Sequence, residues 1–368
     1  MTETLYRKYR PLLFSEIVNQ KSVVKTLTQA LANHKVAHAY LFSGPRGTGK
    51  TTIARILARA LSCKNPHGPE PDNQCDVCTE VLAGRALDVV EIDAASNRGI
   101  DDVRRLKEEI RFGPQRFKYK VFILDEAHML TRDASNALLK SLEEPPAQTI
   151  FILATTEVHK LLPTIISRCQ RLDFHHFNIK DMAGRLTALA QAEGFKLEDR
   201  AARAMAVNAQ GSLRDAESVL GKVLALVDNS KIEYETVQAL LGVIDTHAAA
   251  RFISELAEGE ASAVFKFIER SFDAGLSMKE LLKALIEYAR KVALVAAGAD
   301  LAELLAEDLP AAELKLIEKQ AAKFTLARAV KLIDICREEL TVIEYYPLDR
   351  LAVEMAVMKF LSSPGNGE

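Results

Sequence analysis

The sequence contains no tryptophan, only five cysteines among 368 residues, and no marked excess of charge of either sign. Its 48 basic and 50 acidic side chains leave a formal charge of −2, which excludes a protein that binds nucleic acid through an overall basic surface. The small, odd number of cysteines excludes a disulfide framework and favours reduced thiols or a metal site. A hydrophobic fraction of 48% excludes a disordered chain.

Long hydrophobic runs are also missing. No apolar run approaches the roughly 20 residues that a membrane helix needs, and the N-terminus MTETLYRKYRPLLF lacks the apolar centre of a secretory signal. We therefore expect a cytoplasmic protein without a membrane partner. At roughly 150 residues per domain, the length predicts two or three domains.

The first half of the chain alternates β-rich runs with segments of helical periodicity. Four short apolar runs predict buried strands at Ala39–Ser43, Val89–Asp93, Val121–Leu124 and Ile150–Ala154. Continuous apolar strands separated by helices are typical of an α/β domain with a mainly parallel sheet. After Phe174 no further strand is predicted, and Gly194 and Gly211 break the helical pattern that follows.

The second half is rich in Ala, Leu, Glu and Lys. Helical periods are found at Ala248–Ala257, Ala261–Asp273, Met278–Ala297, Ala311–Lys323 and Leu326–Thr341. We therefore predict an α/β domain over residues 1–176, a small helical domain over 177–242, an all-helical domain over 243–361 and a disordered tail over 362–368.

Residues 44–51 read Gly-Pro-Arg-Gly-Thr-Gly-Lys-Thr and match the P-loop pattern G-x-x-x-x-G-K-[ST] in full. A predicted strand precedes the motif and an amphipathic helix follows it. Glycines allow backbone N–H groups to face phosphates, and the helix N-terminus adds its positive dipole end. Lys50 would add a positive charge and the Thr51 hydroxyl would bind Mg²⁺. The predicted ATP contacts are Gly44, Pro45, Arg46, Gly47, Thr48, Gly49, Lys50, Thr51 and Thr52.

The strand Val121–Leu124 ends in two carboxylates, Asp125 and Glu126. Ligands of open parallel sheets bind at the carboxyl ends of the strands, so both side chains would face the phosphate site. We predict that Asp125 holds Mg²⁺, directly or through water, and that Glu126 orients and polarises the attacking water. The alternative, an acidic strand end that caps the next helix, is disfavoured by the P-loop beside it.

Further motifs narrow the family. They are Tyr6–Pro11 (YRKYRP), Ser96–Asp101 (SNRGID), Asp125–His128 (DEAH), Leu138–Pro146 (LLKSLEEPP) and Ser167–Cys169 (SRC). With them the chain resembles the bacterial clamp-loader ATPases of the AAA+ class, and among these the gamma/tau subunits of DNA polymerase III, over nearly its full length. The resemblance implies a nucleotide-binding domain, a helical lid and a helical collar that oligomerises. Because full-length tau carries additional C-terminal domains, it also implies a gamma-length form or a truncated tau.

The resemblance assigns roles to three more side chains. Thr155 would be the sensor that hydrogen-bonds the γ-phosphate or the attacking water, Arg214 the second sensor in the lid, and Arg168 the arginine that faces the ATP of a neighbouring subunit. Without the resemblance, each residue has a structural alternative. Thr155 could be a solvent-facing turn residue, Arg214 a capping or surface arginine, and Arg168 part of a salt bridge at a domain edge. The adenine side is expected to include Arg7, Tyr9, Pro11 and Val18.

Three cysteines lie in a Pro- and Gly-rich insertion at about 63–79. The resemblance implies a zinc module spaced C-x8-C-x2-C-x2-C, but this sequence has aspartate at the second position. Zinc accepts a carboxylate oxygen as a ligand, although structural zinc sites prefer sulfur and nitrogen. A loop with few apolar residues also needs a cross-link, such as a metal ion, to stabilise its fold. We predict structural zinc on Cys63, Asp72, Cys75 and Cys78. His67 is an alternative fourth ligand, and a metal-free loop or a redox C-x-x-C pair are alternatives to the metal.

A nucleic-acid contact must be local, because the overall charge is balanced. Arg98 and Arg105 are the predicted DNA contacts, since they could place cations along a phosphate backbone. The alternative is a solvated helix face paired with Glu108 and Glu109. The resemblance implies as partners the delta and delta prime subunits, further gamma/tau copies, the sliding clamp and primer–template DNA.

The function that the resemblance implies is ATP-driven opening of the sliding clamp and its loading onto primed DNA, with no polymerase site in the chain. One alternative is an ATP-binding scaffold that does not hydrolyse, which the intact Lys50, Thr51, Asp125 and Glu126 argue against. The other is a different AAA+ motor, such as a branch-migration helicase, which the helical collar and the cysteine insertion argue against.

Overall fold

The computed structural model describes residues 4–96, 109–110, 112–227, 230–241, 246–298 and 311–362. The chain forms two compact units, Met1–Tyr234 and Glu235–Glu368. The boundary predicted between residues 176 and 177 lies within the first unit, and the division into three domains stays a prediction. Arg98 and Arg105, the predicted DNA contacts, lie outside the described residues.

A five-stranded parallel sheet forms the centre of the first unit, in the order β2-β3-β4-β1-β5. Its strands are β1 (Ala39–Ser43), β2 (Val89–Asp93), β3 (Lys120–Asp125), β4 (Thr149–Thr155) and β5 (Gln170–Asp173). The four predicted strands are confirmed. The edge strand β5 was missed because only Leu172 among its four side chains is buried, which leaves no apolar run to detect.

Helices cover both faces of this sheet, as the α/β prediction requires. The described helices up to residue 166 are α1 (Leu5–Lys8), α2 (Lys21–Ala32), α3 (Lys50–Ser62), α4 (Asp76–Leu82), α5 (Arg132–Glu143) and α6 (Pro163–Ile166). Of these, α2 and α3 pack on one face of the sheet, and α5 and α6 pack on the other. Successive strand side chains point to opposite faces. Phe42 of β1 therefore packs in one core with Ile53 of α3, and Leu41 packs in the other with Leu138 of α5.

The remainder of the first unit is mainly helical. It contains α7 (Ile179–Ala192), α8 (Asp199–Asn208), α9 (Leu213–Leu226) and a pair of parallel two-residue strands, β6 (Lys196–Leu197) and β7 (Lys231–Ile232). The two short strands were not predicted, because two residues show no periodicity. The side chains of Asn178 and Ser212 cap α7 and α9, and Gly194 and Gly211 both have positive φ at the predicted breaks.

Among the described residues of the second unit, every regular element is a helix. Its helices are α10 (Tyr234–Leu241), α11 (Thr246–Ala257), α12 (Ala261–Asp273), α13 (Met278–Ala297), α14 (Ala311–Ala321), α15 (Leu326–Val342) and α16 (Arg350–Leu361). The five predicted helical periods are confirmed to within two residues at each end, whereas α16 was not predicted separately. None of the described helices is long and apolar enough to cross a membrane.

Candidate nucleotide site and cysteine cluster

The P-loop joins the end of β1 to the start of α3, and three of its glycines have positive φ. A Cβ at Gly44 would lie 2.3 Å from the carbonyl oxygen of Phe174, and one at Gly47 would lie 2.0 Å from Ser212 Oγ. Helix α3 starts after Gly49 without a side-chain cap and without an acidic residue in its first turn. Its N-terminal dipole is therefore directed at the loop and favours a bound anion.

Lys50 directs its ammonium group into the loop. Its Nζ donates to the carbonyl oxygens of Gly44 and Pro45, both at 2.7 Å, and the residue is only 6% exposed. Burial lowers the pKa of Lys50, and the nearby carboxylates of Glu126 and Asp125 act to raise it. A buried cation set between the P-loop and two carboxylates suits a ligand that combines phosphates with a metal ion.

The start of α3 meets the end of β3 at the same edge of the sheet. Thr51 Oγ1 donates to Asp125 Oδ2 at 2.7 Å, and Asp125 Oδ1 accepts the N–H of Glu126 at 3.0 Å. Glu126 itself has a left-handed backbone with φ 48°, so the chain turns sharply after Asp125. The structure thus brings together the hydroxyl and the carboxylate that the sequence predicted for Mg²⁺.

A partly buried polar network includes Glu126. Thr155, at the end of β4, is fully buried, and its Oγ1 lies 3.0 Å from His128 Nδ1. The same imidazole lies 3.4 Å from Glu126 Oε2 through Nδ1 and 3.2 Å from Glu157 Oε2 through Nε2. Thr156 Oγ1 donates to Glu126 Oε2 at 3.2 Å. Sequence reasoning assigned no role to His128, Thr156 or Glu157; the available signals were their places in the DEAH motif and beside Thr155.

Arg214 lies in the first turn of α9. Its guanidinium group stacks 4.8 Å from the centre of the Tyr6 ring. Hydrogen bonds from Thr4 and Arg214 lower the pKa of Tyr6. Ser212, two residues earlier, is the residue that a side chain at Gly47 would meet. Arg214 therefore lies in the first turn of a helix whose N-cap, Ser212, lies against Gly47 of the P-loop.

The residues predicted for the adenine side lie in two stretches. In the first, the Tyr9 carbonyl accepts from Arg185 of α7 at 2.7 Å, and the Arg7 guanidinium lies 5.8 Å from the Tyr6 ring centre. Pro11 lies two residues after Tyr9, beyond the end of α1.

Val18 belongs to the second stretch, which runs into α2 beside the P-loop. Its carbonyl accepts the N–H of Gln20 at 3.1 Å. Gln20 is 3% exposed, and its Nε2 donates to the His175 carbonyl at 2.7 Å and to the Thr48 carbonyl at 3.5 Å. Sequence reasoning missed Gln20, because nothing local marks a glutamine as a bridge.

Arg168 is not brought together with the phosphate site of its own chain. Its guanidinium group donates to Glu143 Oε1 at 2.6 Å and to the Thr164 carbonyl at 2.8 Å. It precedes β5, whereas the P-loop follows the carboxyl end of the parallel neighbour β1. The strand from Gln170 to Asp173 alone spans about 10 Å, so Arg168 lies at the opposite edge of the sheet.

The predicted metal ligands form a compact cluster. One ligand atom from each of Cys63, Asp72, Cys75 and Cys78 lies within 4.8 Å of all the others. Cys63 Sγ lies 4.0 Å from Cys75 Sγ and 3.3 Å from Asp72 Oδ1. His67 is outside this group, and its backbone pairs with Glu70 instead. All five cysteines of the chain are free thiols.

The donor set fits a tetrahedral zinc ion. With Zn–S bonds near 2.3 Å, tetrahedral sulfur atoms lie about 3.8 Å apart, close to the observed Cys63–Cys75 separation. Burial raises the pKa of both Cys63 and Cys78. Partial burial would raise the pKa of Asp72, but hydrogen bonds from the Cys75 N–H and from the thiols of Cys75 and Cys78 outweigh it and lower that pKa. The carboxylate is therefore ready to bind a cation.

Two family models match separate parts of the chain. The model described as DNA polymerase III, delta subunit, matches residues 19–178, and the model described as DNA polymerase III subunits gamma and tau domain III matches residues 232–365. Among solved structures, the chain is similar to the RuvB Holliday junction branch migration motor of Thermotoga maritima. That match has 19% identity and a TM-score of 0.49, and it covers 73% of this chain and 85% of the other.

Full-length relatives are similar across almost the whole chain. The tau subunit of DNA polymerase III from Bacillus subtilis is 36% identical over 97% of this chain and 63% of its own length. The Escherichia coli tau subunit is 35% identical over 98% of this chain and 55% of its own length. The chain thus spans only about three fifths of these relatives. It has a P-loop on a five-stranded parallel sheet, followed by a mainly helical region, and it belongs to the gamma/tau family of bacterial DNA polymerase III subunits.

Proposed function

We propose that this chain binds and hydrolyses ATP as a subunit of a DNA polymerase III clamp loader, in which that cycle drives opening of the sliding clamp and its loading onto primed DNA. The observation that carries the proposal is the contact between Thr51 Oγ1 and Asp125 Oδ2 at 2.7 Å, beside the buried ammonium of Lys50. A phosphate-binding loop and a metal-binding carboxylate at one edge of a parallel sheet are the shared parts of P-loop nucleotidases.

The P-loop residues divide the work of binding. Residues 44–52 surround the phosphates, with backbone N–H groups supplied by residues 46–52, because Pro45 has none and that of Gly44 pairs with the Thr155 carbonyl. Lys50 neutralises part of the phosphate charge. Thr51 and Asp125 would hold Mg²⁺, which when bound would neutralise charge on the phosphates. The stretches that contain Arg7, Tyr9, Pro11 and Val18 line the adenine side.

Hydrolysis is assigned to groups that meet at the ends of β3 and β4. Glu126 orients and polarises the attacking water, and its carboxylate accepts from Thr156 at 3.2 Å. Thr155 supplies a hydroxyl to the γ-phosphate or the water, in a buried position that a merely solvent-facing turn residue would not need. Arg214 approaches the γ-phosphate from α9, whose cap Ser212 lies against Gly47.

Arg168 is assigned to the ATP of a neighbouring subunit. Its guanidinium group is paired with Glu143 at the end of the strands opposite the P-loop of its own chain. This position supports the role, because it places the arginine far from its own phosphate site. An arginine supplied in trans can raise hydrolysis by ~10³–10⁵. The helical region at 243–361 lies wholly within the match to the gamma and tau domain III model, and it would join the subunits so that these interfaces form.

The partners follow from the family. They are the delta and delta prime subunits, further copies of this chain or its longer form, the sliding clamp and primer–template DNA. Contacts to DNA are expected on the phosphate backbone, with Arg98 and Arg105 as candidates, because loading must work on any sequence. Structural zinc is assigned to Cys63, Asp72, Cys75 and Cys78.

A mixing experiment tests both the hydrolytic site and its geometry. In complexes assembled with the other loader subunits, clamp and primed DNA, Lys50→Ala should lose ATP binding, and Arg168→Ala should bind ATP but lose stimulated hydrolysis. Complexes that contain both variants should recover part of the activity, because some interfaces pair an intact Lys50 site with an intact Arg168. No recovery would contradict an arginine acting in trans, and unchanged ATP binding by Lys50→Ala would contradict the phosphate site.

A further inference from the structure

Glu70 of the cysteine insertion binds the backbone of the N-terminal segment, residues 9–15, through its carboxylate. Glu70 Oε2 accepts the N–H of Phe14 at 2.7 Å, and Glu70 Oε1 accepts the N–H of Ser15 at 2.8 Å. Hydrogen bonds to an ionised acceptor are about twice as strong as neutral ones. Phe14 is 1% exposed and packs in the same core as Ile53 of the P-loop helix. Glu70 thus fixes the backbone at the point where the segment enters the core.

The turn that carries Glu70 is itself held by the cysteine cluster. Glu70 and His67 pair through both backbone groups, at 2.9 and 3.2 Å. Two residues later, the N–H of Asp72 donates to Cys63 Sγ at 3.3 Å. The position of the Glu70 carboxylate therefore depends on the arrangement of the cluster.

Two other elements hold the same segment from other directions. The Leu12 carbonyl accepts from Arg59 of α3 at 2.8 Å and from Asn73 of the insertion at 3.3 Å. The Tyr9 carbonyl accepts from Arg185 of α7 at 2.7 Å. Residues 9–15 are therefore tied at once to the P-loop helix, to the helices that follow the sheet and to the cysteine insertion.

We propose that Glu70 is a positioning residue for the nucleotide base, through which the cysteine insertion sets the affinity for ATP. This inference rests on the proposed function, in which Tyr9 and Pro11 line the adenine side. Glu70 acts through the backbone of Phe14 and Ser15, to which its carboxylate is bound. It keeps the base-binding segment in place, whereas the phosphates are bound by the P-loop and Lys50. Loss of Glu70 therefore weakens binding of the base and leaves binding of the phosphates intact.

The test measures two probes by calorimetric titration of the full chain with Mg²⁺ present: ATP, and inorganic tripolyphosphate, which has the phosphates without the base. Glu70→Gln keeps the shape but loses the charge, and it should weaken ATP binding about five- to tenfold while tripolyphosphate binding changes less than about twofold. The matched control is Glu80→Gln, in α4 of the same insertion. Glu80 pairs with Arg116 at 2.6 Å, so Glu80→Gln should change neither affinity.

Three outcomes overturn the proposal: unchanged ATP affinity in Glu70→Gln, equal weakening of both probes, or the same loss in Glu80→Gln. If Glu70→Gln does not fold, Glu70→Asp, which is charged but one methylene shorter, is measured in the same way with the same expectation. Lys50→Ala should weaken both probes. If it weakens neither, the phosphate site and thus the proposed function fail, independently of the result for Glu70.

Discussion

Replacing Gly47 with alanine should destabilise the first unit for two separate reasons. Gly47 has φ 75°, and a non-glycine residue there costs about 1–2 kcal/mol in backbone strain. The new Cβ would also lie 2.0 Å from Ser212 Oγ and 3.0 Å from Ser212 Cβ. Ser212 Oγ caps α9 by accepting the N–H of Asp215 at 3.3 Å. Displacing Ser212 Oγ would break this N-cap hydrogen bond and lower the free energy of unfolding by about 1 kcal/mol. The expected loss is therefore about 2–3 kcal/mol.

Gly49 supplies a matched control in the same loop. Its φ is 95°, but a Cβ there would meet no atom within 4 Å. Gly49→Ala should therefore lose only the backbone part, about 1–2 kcal/mol. For a unit of this size, 1 kcal/mol shifts the unfolding midpoint by about 2–4 °C. Differential scanning calorimetry of the full chain without nucleotide should thus place Gly47→Ala about 2–4 °C below Gly49→Ala.

A second substitution separates the collision from the backbone strain. Ser212→Gly removes the two atoms closest to the new Cβ and leaves only the Cα of residue 212, at 3.3 Å. Glycine costs only a few tenths of a kcal/mol as an N-cap. In the Ser212→Gly background, Gly47→Ala and Gly49→Ala should therefore unfold at nearly the same temperature. The reasoning is refuted if Gly47→Ala is no less stable than Gly49→Ala, or if Ser212→Gly leaves their difference unchanged.

Three other predictions follow from particular contacts. Asp72→Ala should retain zinc at least about tenfold less tightly in chelator competition, and unchanged retention would transfer the fourth ligand to another group. His128→Ala should lower kcat for ATP hydrolysis by about tenfold to 100-fold with little change in ATP affinity, because Glu126 and Thr155 lose a shared partner. His159→Ala is its control, since that imidazole is 76% exposed and 3.8 Å from Glu157, and equal losses would contradict the role of His128. In the second unit, Gln320→Leu should cost about 2–4 kcal/mol, because it leaves the Ala250 carbonyl and the Tyr288 hydroxyl buried without this partner. Tyr288→Phe should lower the free energy of unfolding by only about 1 kcal/mol. Equal losses for Tyr288→Phe and Gln320→Leu in calorimetry would refute this reasoning.

The sheet was predictable where burial leaves a continuous apolar run. Strand β1 is buried at all five positions, and β4 is buried at all seven, so both strands stand out in the sequence. Strand β5 has one buried side chain and is held by backbone pairing with β1, which a sequence pattern does not record. Strands β6 and β7 were missed for the same reason, because they are held only by backbone pairing between segments about 35 residues apart in the chain.

The centre of the candidate site was predictable because parallel strands end at one edge. That rule alone placed Asp125 close to Thr51, and the two side chains lie 2.7 Å apart. It did not identify His128, because a histidine after an acidic pair can face solvent or the interior, and tertiary packing against β4 decides between them. Nor did it identify Gln20, whose two carbonyl partners lie 28 and 155 residues further along the chain.

Gly47 lies at a position that the P-loop pattern leaves open to any residue, although the structure favours glycine there. In the pattern G-x-x-x-x-G-K-[ST], Gly44 and Gly49 are the required glycines, and residue 47 is a position where any residue is allowed. The structure supplies the missing reason for glycine at 47, because Ser212 at the start of α9 occupies the space of a Cβ. This steric requirement adds to the one set by the positive φ of 75° at residue 47, and it comes from a contact between the P-loop and a helix 165 residues away. Any movement of α9 that takes Ser212 from this contact would remove the steric need for glycine at 47 while leaving that at Gly44, where the obstacle is the Phe174 backbone.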